Sequence, residues 1–206
     1  MLRFAALVIL FLVNLLAAAE VPSKLLGRWR SLETSPGGIG ALLEFHADGS
    51  VDFSPGAVVE SPYRIEVNQL ILPSESNHGP EQKMAIEFVG ENKLRLKPSG
   101  NSTAPGNTAE LVRKGIRSDP LSLIIGEWRG TRDIGGHQAE MRWLFYSTGK
   151  SLLLIPFRTD HGRFTVEGAK IHFDLPGAML AEGHFDINGD VLSLPGRKTA
   201  SRYARY

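Results

Sequence analysis

The residues best suited to metal binding are histidines, and most of them lie in the second half of the chain. The sequence contains six histidines, and four follow residue 116: His137, His161, His172 and His184. His172 and His184 are expected on adjacent strands near Asp174 and Asp186, where their side chains could bind a divalent metal. No H-x-H or H-x-x-x-H spacing is present, however, and a one-residue change of register would place the two rings on opposite faces of a sheet. We therefore predict solvent-facing histidines and no metal ligands.

No residue pattern for nucleophilic or phosphate chemistry stands out. The chain has no Cys, which excludes thiol catalysis, disulfides, Cys-ligated zinc and iron–sulfur clusters. A G-x-S-x-G motif is absent, and the glycine-rich stretch at 37–40 matches neither phosphate-loop pattern. Carboxylates are numerous but scattered, so no acid–base pair can be assigned. The sequence therefore predicts neither catalytic residues nor a cofactor.

The first 19 residues have the three parts of a secretory signal peptide. A positive start with Arg3 precedes an apolar run, and Ala17-Ala18-Ala19 supplies the small residues expected before a cleavage site. We predict a signal peptide over 1–19, cleavage before Glu20, and export to the periplasm or the medium. The alternative is an uncleaved membrane anchor, but the apolar run is 16 residues long, shorter than the roughly 20 that a membrane span requires.

The chain expected after cleavage has no net charge. Loss of Arg3 leaves 22 basic and 22 acidic side chains. Without a basic excess, neither nucleic-acid binding nor polybasic attachment to an anionic membrane is expected. No second long apolar run follows, so no transmembrane segment is predicted in the mature chain. The lack of Cys fits export in bacteria better than secretion in animals, where small domains usually rely on disulfides.

Short segments of the first half recur in the second half in the same order. Residues 25–30 (LLGRWR) match residues 124–129 (IIGEWR), at an offset of 99. Three further matches, at offsets of 98 to 100, join 45 and 49 to 145 and 149, 64–67 to 163–166, and 94–96 to 192–194. Four matches in one order favour duplication over chance. We predict two units, residues 20–115 and 116–206, joined near 117–120.

Apolar and polar residues alternate within each unit. The alternation in 63–67 and 163–167 is typical of strands with one buried and one exposed face. Turn sequences such as Asp48-Gly49 and Asn188-Gly189 separate these stretches. The pattern predicts an all-β fold with about eight antiparallel strands in each unit. Because such a meander leaves two unpaired edges, we expect each unit to close into a small up-and-down barrel.

A Gly-x-Trp motif opens the first predicted strand of each unit, at 27–29 and 126–128. Together with the predicted barrels, this motif resembles the lipocalin superfamily, most closely its small bacterial lipocalin-like domains. The resemblance implies that each Trp fills a barrel floor and that a basic residue from the last strand packs over it, a contact that contributes about 0.5–2 kcal/mol. Arg113 matches that role in the first unit, and Arg202 or Arg205 in the second. The resulting candidates are structural barrel-floor residues: Gly27, Trp29, Arg113, Gly126, Trp128 and Arg202.

These expectations together favour an exported, non-enzymatic, lipocalin-like binding or interaction protein. Its partner would be a small apolar molecule inside a barrel or an envelope protein at the loops. A structural envelope protein with solidly packed barrels is the alternative, and an enzyme or metal-binding protein is a third. One strand departs from simple alternation, because both faces of residues 141–146 carry bulky side chains. We therefore predict that Leu144 and Tyr146 contact the other barrel.

Overall fold

The computed structural model describes residues 21–74, 80–99, 108–115, 122–134, 136–176, 180, 182–196 and 200–206, without the side chains of 133, 134 and 137. The predicted signal peptide and the predicted joint at 117–120 lie outside these ranges. Within them the chain forms strands and no helix. The strands are β1 (Gly27–Ser31), β2 (Ile39–Phe45), β3 (Ser50–Pro62), β4 (Arg64–Glu66), β5 (Gln69–Leu72), β6 (Gln82–Phe88), β7 (Lys93–Pro98), β8 (Ala109–Lys114), β9 (Gly126–Ile134), β10 (His137–Phe145), β11 (Lys150–Pro156), β12 (Asp160–Glu167), β13 (Lys170–Asp174), β14 (Gly183–His184), β15 (Asp186–Asn188), β16 (Val191–Leu194) and β17 (Ser201–Arg205).

The strands pair as one antiparallel sheet. Most ladders join strands that follow each other in the chain, as in β4 to β11. Short turns connect some of these pairs, such as β4–β5 and β10–β11. The predicted all-β, antiparallel fold is confirmed. Two ladders join the predicted units at their ends: β8 pairs with β9, and β1 pairs with β17.

Strand β3 is the centre of the sheet. One edge pairs with β2, while the other pairs with β12 over residues 50–53 and with β11 over residues 56–62. Gly56 permits the change of partner, since a Cβ atom there would lie 2.3 Å from the carbonyl oxygen of Ile155. One strand of the first half thus joins two strands of the second half.

The ladders between described strands do not close the sheet. In the described ranges no ladder joins β3 to β4 or β14 to β15, since β4 pairs with β5, β14 with β13 and β15 with β16. Each of these breaks is a single residue along the chain, Tyr63 in the first case and Phe185 in the second. The two closed barrels therefore stay a prediction.

Two large apolar cores lie on the sheet, and each combines side chains from both predicted units. Core A takes its buried residues from the two ends of the chain: Leu25, Trp29, Ala41, Leu43, Phe45, Val51, Phe164, Val166, Ile171, Leu175, Leu192, Leu194 and Tyr203. Core B takes its buried residues from the middle: Leu70, Leu94, Leu96, Leu111, Ile124, Trp128, Met141, Trp143, Phe145 and Ile155. Core B is therefore continuous in sequence, and core A flanks it.

A smaller apolar cluster joins the two halves of the chain. Leu42 and Val58 of the first half are buried there against Leu152 and Leu154 of β11. Leu144 and Tyr146 pack against this cluster. The cluster thus contains side chains from both halves, while the predicted contact with the other barrel stays a prediction, as the barrels themselves do.

Candidate functional site

A tryptophan–arginine stack lies at one end of core A. Trp29 is completely buried, and the guanidinium carbon of Arg205 lies 4.1 Å from the centroid of its ring. The indole Nε1 of Trp29 donates a hydrogen bond of 2.8 Å to the Leu25 carbonyl oxygen. Arg205 donates through Nη1 to the Leu26 carbonyl oxygen at 2.6 Å and through Nη2 to that of Lys24. The stack therefore ties the last strand to the turn that precedes β1.

An equivalent stack lies at one end of core B. Trp128 is completely buried, Arg113 is 8% exposed, and the guanidinium carbon lies 4.2 Å from the indole centroid. Trp128 Nε1 donates to the Ile124 carbonyl oxygen at 2.6 Å. Arg113 Nη1 donates to the Ile125 carbonyl oxygen at 2.8 Å, and its Nε donates to that of Glu91 at 3.1 Å. Arg113 Nη2 also donates to the Leu123 carbonyl oxygen, so Nη1 and Nη2 bind carbonyl groups at equivalent positions in both stacks.

The glycine of each Gly-x-Trp motif makes room for the arginine. Gly27 has a φ of 103° and Gly126 a φ of 125°, which L side chains rarely adopt. A Cβ atom at Gly27 would lie 3.1 Å from Arg205 Nη1, and one at Gly126 would lie 2.9 Å from Arg113 Nη1. The motif therefore supplies both the indole ring on which the guanidinium stacks and, at the glycine, the space that the guanidinium occupies.

The partners within the stacks differ from the expectation. Arg113 was expected over the Trp of its own unit, but it lies over Trp128. The reason is the pairing of β8 with β9, which places Arg113 opposite Trp128 in the ladder. In the same way, the pairing of β17 with β1 places Arg205 opposite Trp29.

Arg202, the residue chosen from the alternatives in the second unit, is not part of either stack. It is on the surface, where its Nε donates to Glu33 Oε1 at 2.6 Å. Strand alternation explains the difference. Tyr203 is buried in core A, so Arg205 shares its face while Arg202 points to the opposite one.

An ion-pair network joins the two Gly-x-Trp motifs at their middle residues. Arg28 Nη1 lies 2.9 Å from Glu127 Oε2, and Arg129 Nε lies 2.6 Å from Glu127 Oε1. Partial burial raises the pKa of Glu127, but hydrogen bonds and charge from Arg129 and Arg28 outweigh burial and lower it below its ordinary value. Glu127 therefore stays ionised in this contact.

A cavity of about 490 Å³ opens beside core B. Its apolar wall comes from β5, β6, β8, β10 and β11, and includes Leu72, Met84, Ala109, Met141, Trp143 and Leu153. Met141 and Trp143 lie on the inward face of β10, as the alternation of that strand requires. The volume lies within the roughly 300–1,000 Å³ of small-molecule sites.

Charged side chains also line this cavity. Arg132, Lys83 and Glu81 belong to the lining. Glu81 is held by Arg64 through two hydrogen bonds of 2.7 and 2.8 Å, and this contact lowers the pKa of Glu81. Arg132 is exposed and forms no ion pair with a described side chain. It was not singled out from the sequence, although alternation from Trp128 places it on the inward face of β9.

Trp143 has an unusual environment in the cavity wall. The side chain is 5% exposed, and its ring stacks on Phe145 with centroids 5.1 Å apart. Its Nε1 is buried and has no hydrogen-bond partner among the described residues. An unpaired buried N–H costs about 1–3 kcal/mol. Trp143 therefore differs from Trp29 and Trp128, whose indole N–H groups each donate a hydrogen bond.

The histidines do not form a metal site in the described part of the chain. Asp52 bridges His46 and His161, with Oδ2 lying 3.2 Å from His46 Nε2 and Oδ1 2.7 Å from His161 Nδ1. His172 contacts Glu182, and β13 pairs with β14, the strand that contains His184. No group of three or more His, Asp or Glu side chains among the described residues could hold a metal ion.

The described ranges contain no helix long and apolar enough to cross a membrane. Comparisons with protein-family models, with curated proteins and with solved structures found no match for this chain. The function is therefore argued from the cavity and the residues around it.

Proposed function

We propose that the protein is an exported, non-enzymatic binding protein that holds a small, largely apolar molecule in the cavity beside core B. The apolar wall of this cavity, together with its volume of about 490 Å³, is the observation that carries this proposal. A wall with Met141, Trp143 and Leu153 offers apolar contact to a ligand, and burial of apolar area contributes about 25 cal/mol per Å². The polar groups lie at separate points of the lining, as they do in sites that orient a mostly apolar ligand.

The architecture proposed for this function is two lipocalin-like barrels, each with strands from both repeat units. Barrel A would contain β1, β2, the first part of β3 and β12 to β17, and barrel B the second part of β3 with β4 to β11. The chain would close each barrel by continuing through one residue, Phe185 in barrel A and Tyr63 in barrel B. The separate cores A and B support this arrangement, and each tryptophan–arginine stack would form one barrel end.

The contacts between the units support their origin by duplication. Gly56 pairs with Pro156 in the β3–β11 ladder, and these positions differ by 100, close to the offset of the sequence repeat. Arg28 and Glu127, which occupy the same place in the two Gly-x-Trp motifs, contact each other. Contacts between equivalent positions are the property of a two-fold interface, here within one chain.

A neutral fluorescent probe such as N-phenyl-1-naphthylamine tests the proposed binding. We expect saturable binding to the wild-type protein and its loss in Ala109→Phe, which places a ring in the cavity. The matched control is Val112→Phe on the same strand, because Val112 faces outward and is 53% exposed. Equal binding by both variants would show that the cavity is not the site, and no binding by the wild type would favour the alternative of a structural envelope protein.

Export is tested on the same protein in its native host. Mass spectrometry of the purified chain should show an N-terminus at Glu20, outside the cytoplasm. A cytoplasmic chain that retains residues 1–19 would contradict this part of the proposal.

A further inference from the structure

We propose that the ligand is an amphipathic monocarboxylate whose anionic group is bound by Arg132, with Lys83 as a second cation. This assignment rests on the proposed binding function and specifies its ligand class. The assignment follows from the charged side chains of the cavity lining, because the acidic one already has a basic partner whereas the basic ones are available to a ligand.

Among the residues that the structure describes, the lining contains one acid and two bases, Glu81, Lys83 and Arg132. The acid is already compensated, since Arg64 contacts both of its oxygens from outside the cavity. The bases are therefore the charges available to a ligand, and the cavity favours an anion over a cation or a neutral group.

Arg132 has the better position of the two bases. Residues 128, 130 and 132 of β9 share one face, and Trp128 of that face is in core B. Arg132 is also directly opposite Ala139 in the β9–β10 ladder, so a small side chain lies beside it. A guanidinium offers paired N–H groups to a carboxylate, which a lone ammonium does not.

The apolar wall determines the rest of the ligand. Met141 and Trp143 follow Ala139 on the inward face of β10, so the apolar surface begins next to the position of Arg132. A molecule with its carboxylate at Arg132 would extend an aliphatic chain along Met141 toward the indole of Trp143. An inorganic anion would leave this wall without contact, and a neutral hydrocarbon would leave Arg132 without a partner.

Competition with the neutral probe tests the assignment. Decanoate and 1-decanol have the same chain length and differ in the charge of the head group. We expect decanoate to displace the probe from wild-type protein at about tenfold lower concentration than decanol, as one charge-assisted hydrogen bond implies. Arg132→Gln should remove most of this preference by raising the concentration of decanoate that displaces the probe, while Lys83→Gln should have a smaller effect.

Arg158→Gln is the control for the loss of one positive charge, because Arg158 is exposed and paired with Asp160. It should leave both concentrations unchanged. Equal displacement by decanoate and decanol, or a preference that survives Arg132→Gln, would overturn the carboxylate assignment while the binding function stands. Failure of the neutral probe to bind would instead overturn the binding function and the assignment with it.

Discussion

Replacing Arg113 by methionine tests whether the tryptophan–arginine stack stabilises the fold. Methionine keeps a long apolar side chain next to Trp128 but removes the guanidinium. The variant loses the cation–π contact, about 0.5–2 kcal/mol, and the hydrogen bonds to the carbonyl oxygens of Glu91, Leu123 and Ile125. Hydrogen bonds to charged groups contribute about 1.5–3 kcal/mol each, but water can replace some of them.

We therefore expect Arg113→Met to lower the free energy of unfolding by about 3–5 kcal/mol. Arg202→Met is the matched control, since Arg202 lies on the surface and its pair with Glu33 should contribute at most about 1 kcal/mol. Arg205→Met should fall between the two, because its side chain is 33% exposed. Equilibrium urea unfolding measures all three. Equal losses for Arg113→Met and Arg202→Met would refute the stabilising role.

Two further predictions concern buried aromatic residues. Trp143→Phe removes an N–H without a described partner and should change the free energy of unfolding by no more than about 1 kcal/mol. Trp128→Phe also loses a hydrogen bond and should lower the free energy of unfolding by at least about 2 kcal/mol more. Urea unfolding of the two variants measures this difference, and equal losses would contradict the reasoning. Burial, with a contribution from Glu33, raises the pKa of Tyr203 to about 12, above about 10 in the unfolded chain, so its contribution to stability is complete below pH 10 and is lost between pH 10 and 12. Tyr203→Phe should make the loss of stability between pH 9 and 11 smaller than in the wild type, and an unchanged loss would assign it to other groups.

The alternation of apolar residues was sufficient to predict the strands and their antiparallel order. It could not predict that the last strand of each unit pairs with the first strand of the other unit. The two units have nearly the same Gly-x-Trp motif, so an arginine of either last strand could stack on either tryptophan. The choice between Arg202 and Arg205 depends on register alone, since a shift of one residue reverses the face of a side chain. The position of Arg132 in the cavity lining also needed the structure, because the size of the cavity depends on how the strands pack.

The division of the cores has a consequence for how the chain acquires its structure. Every buried residue of core B is present once synthesis has reached Ile155, so this part can collapse while the C-terminal residues are still being made. Trp29 lies far before its covering Arg205 in the chain, so the stack of core A cannot form until β17 has been synthesised. Strand β1 can pair with β2 before then, but its other edge still lacks β17 and is exposed to aggregation or to protection by a chaperone.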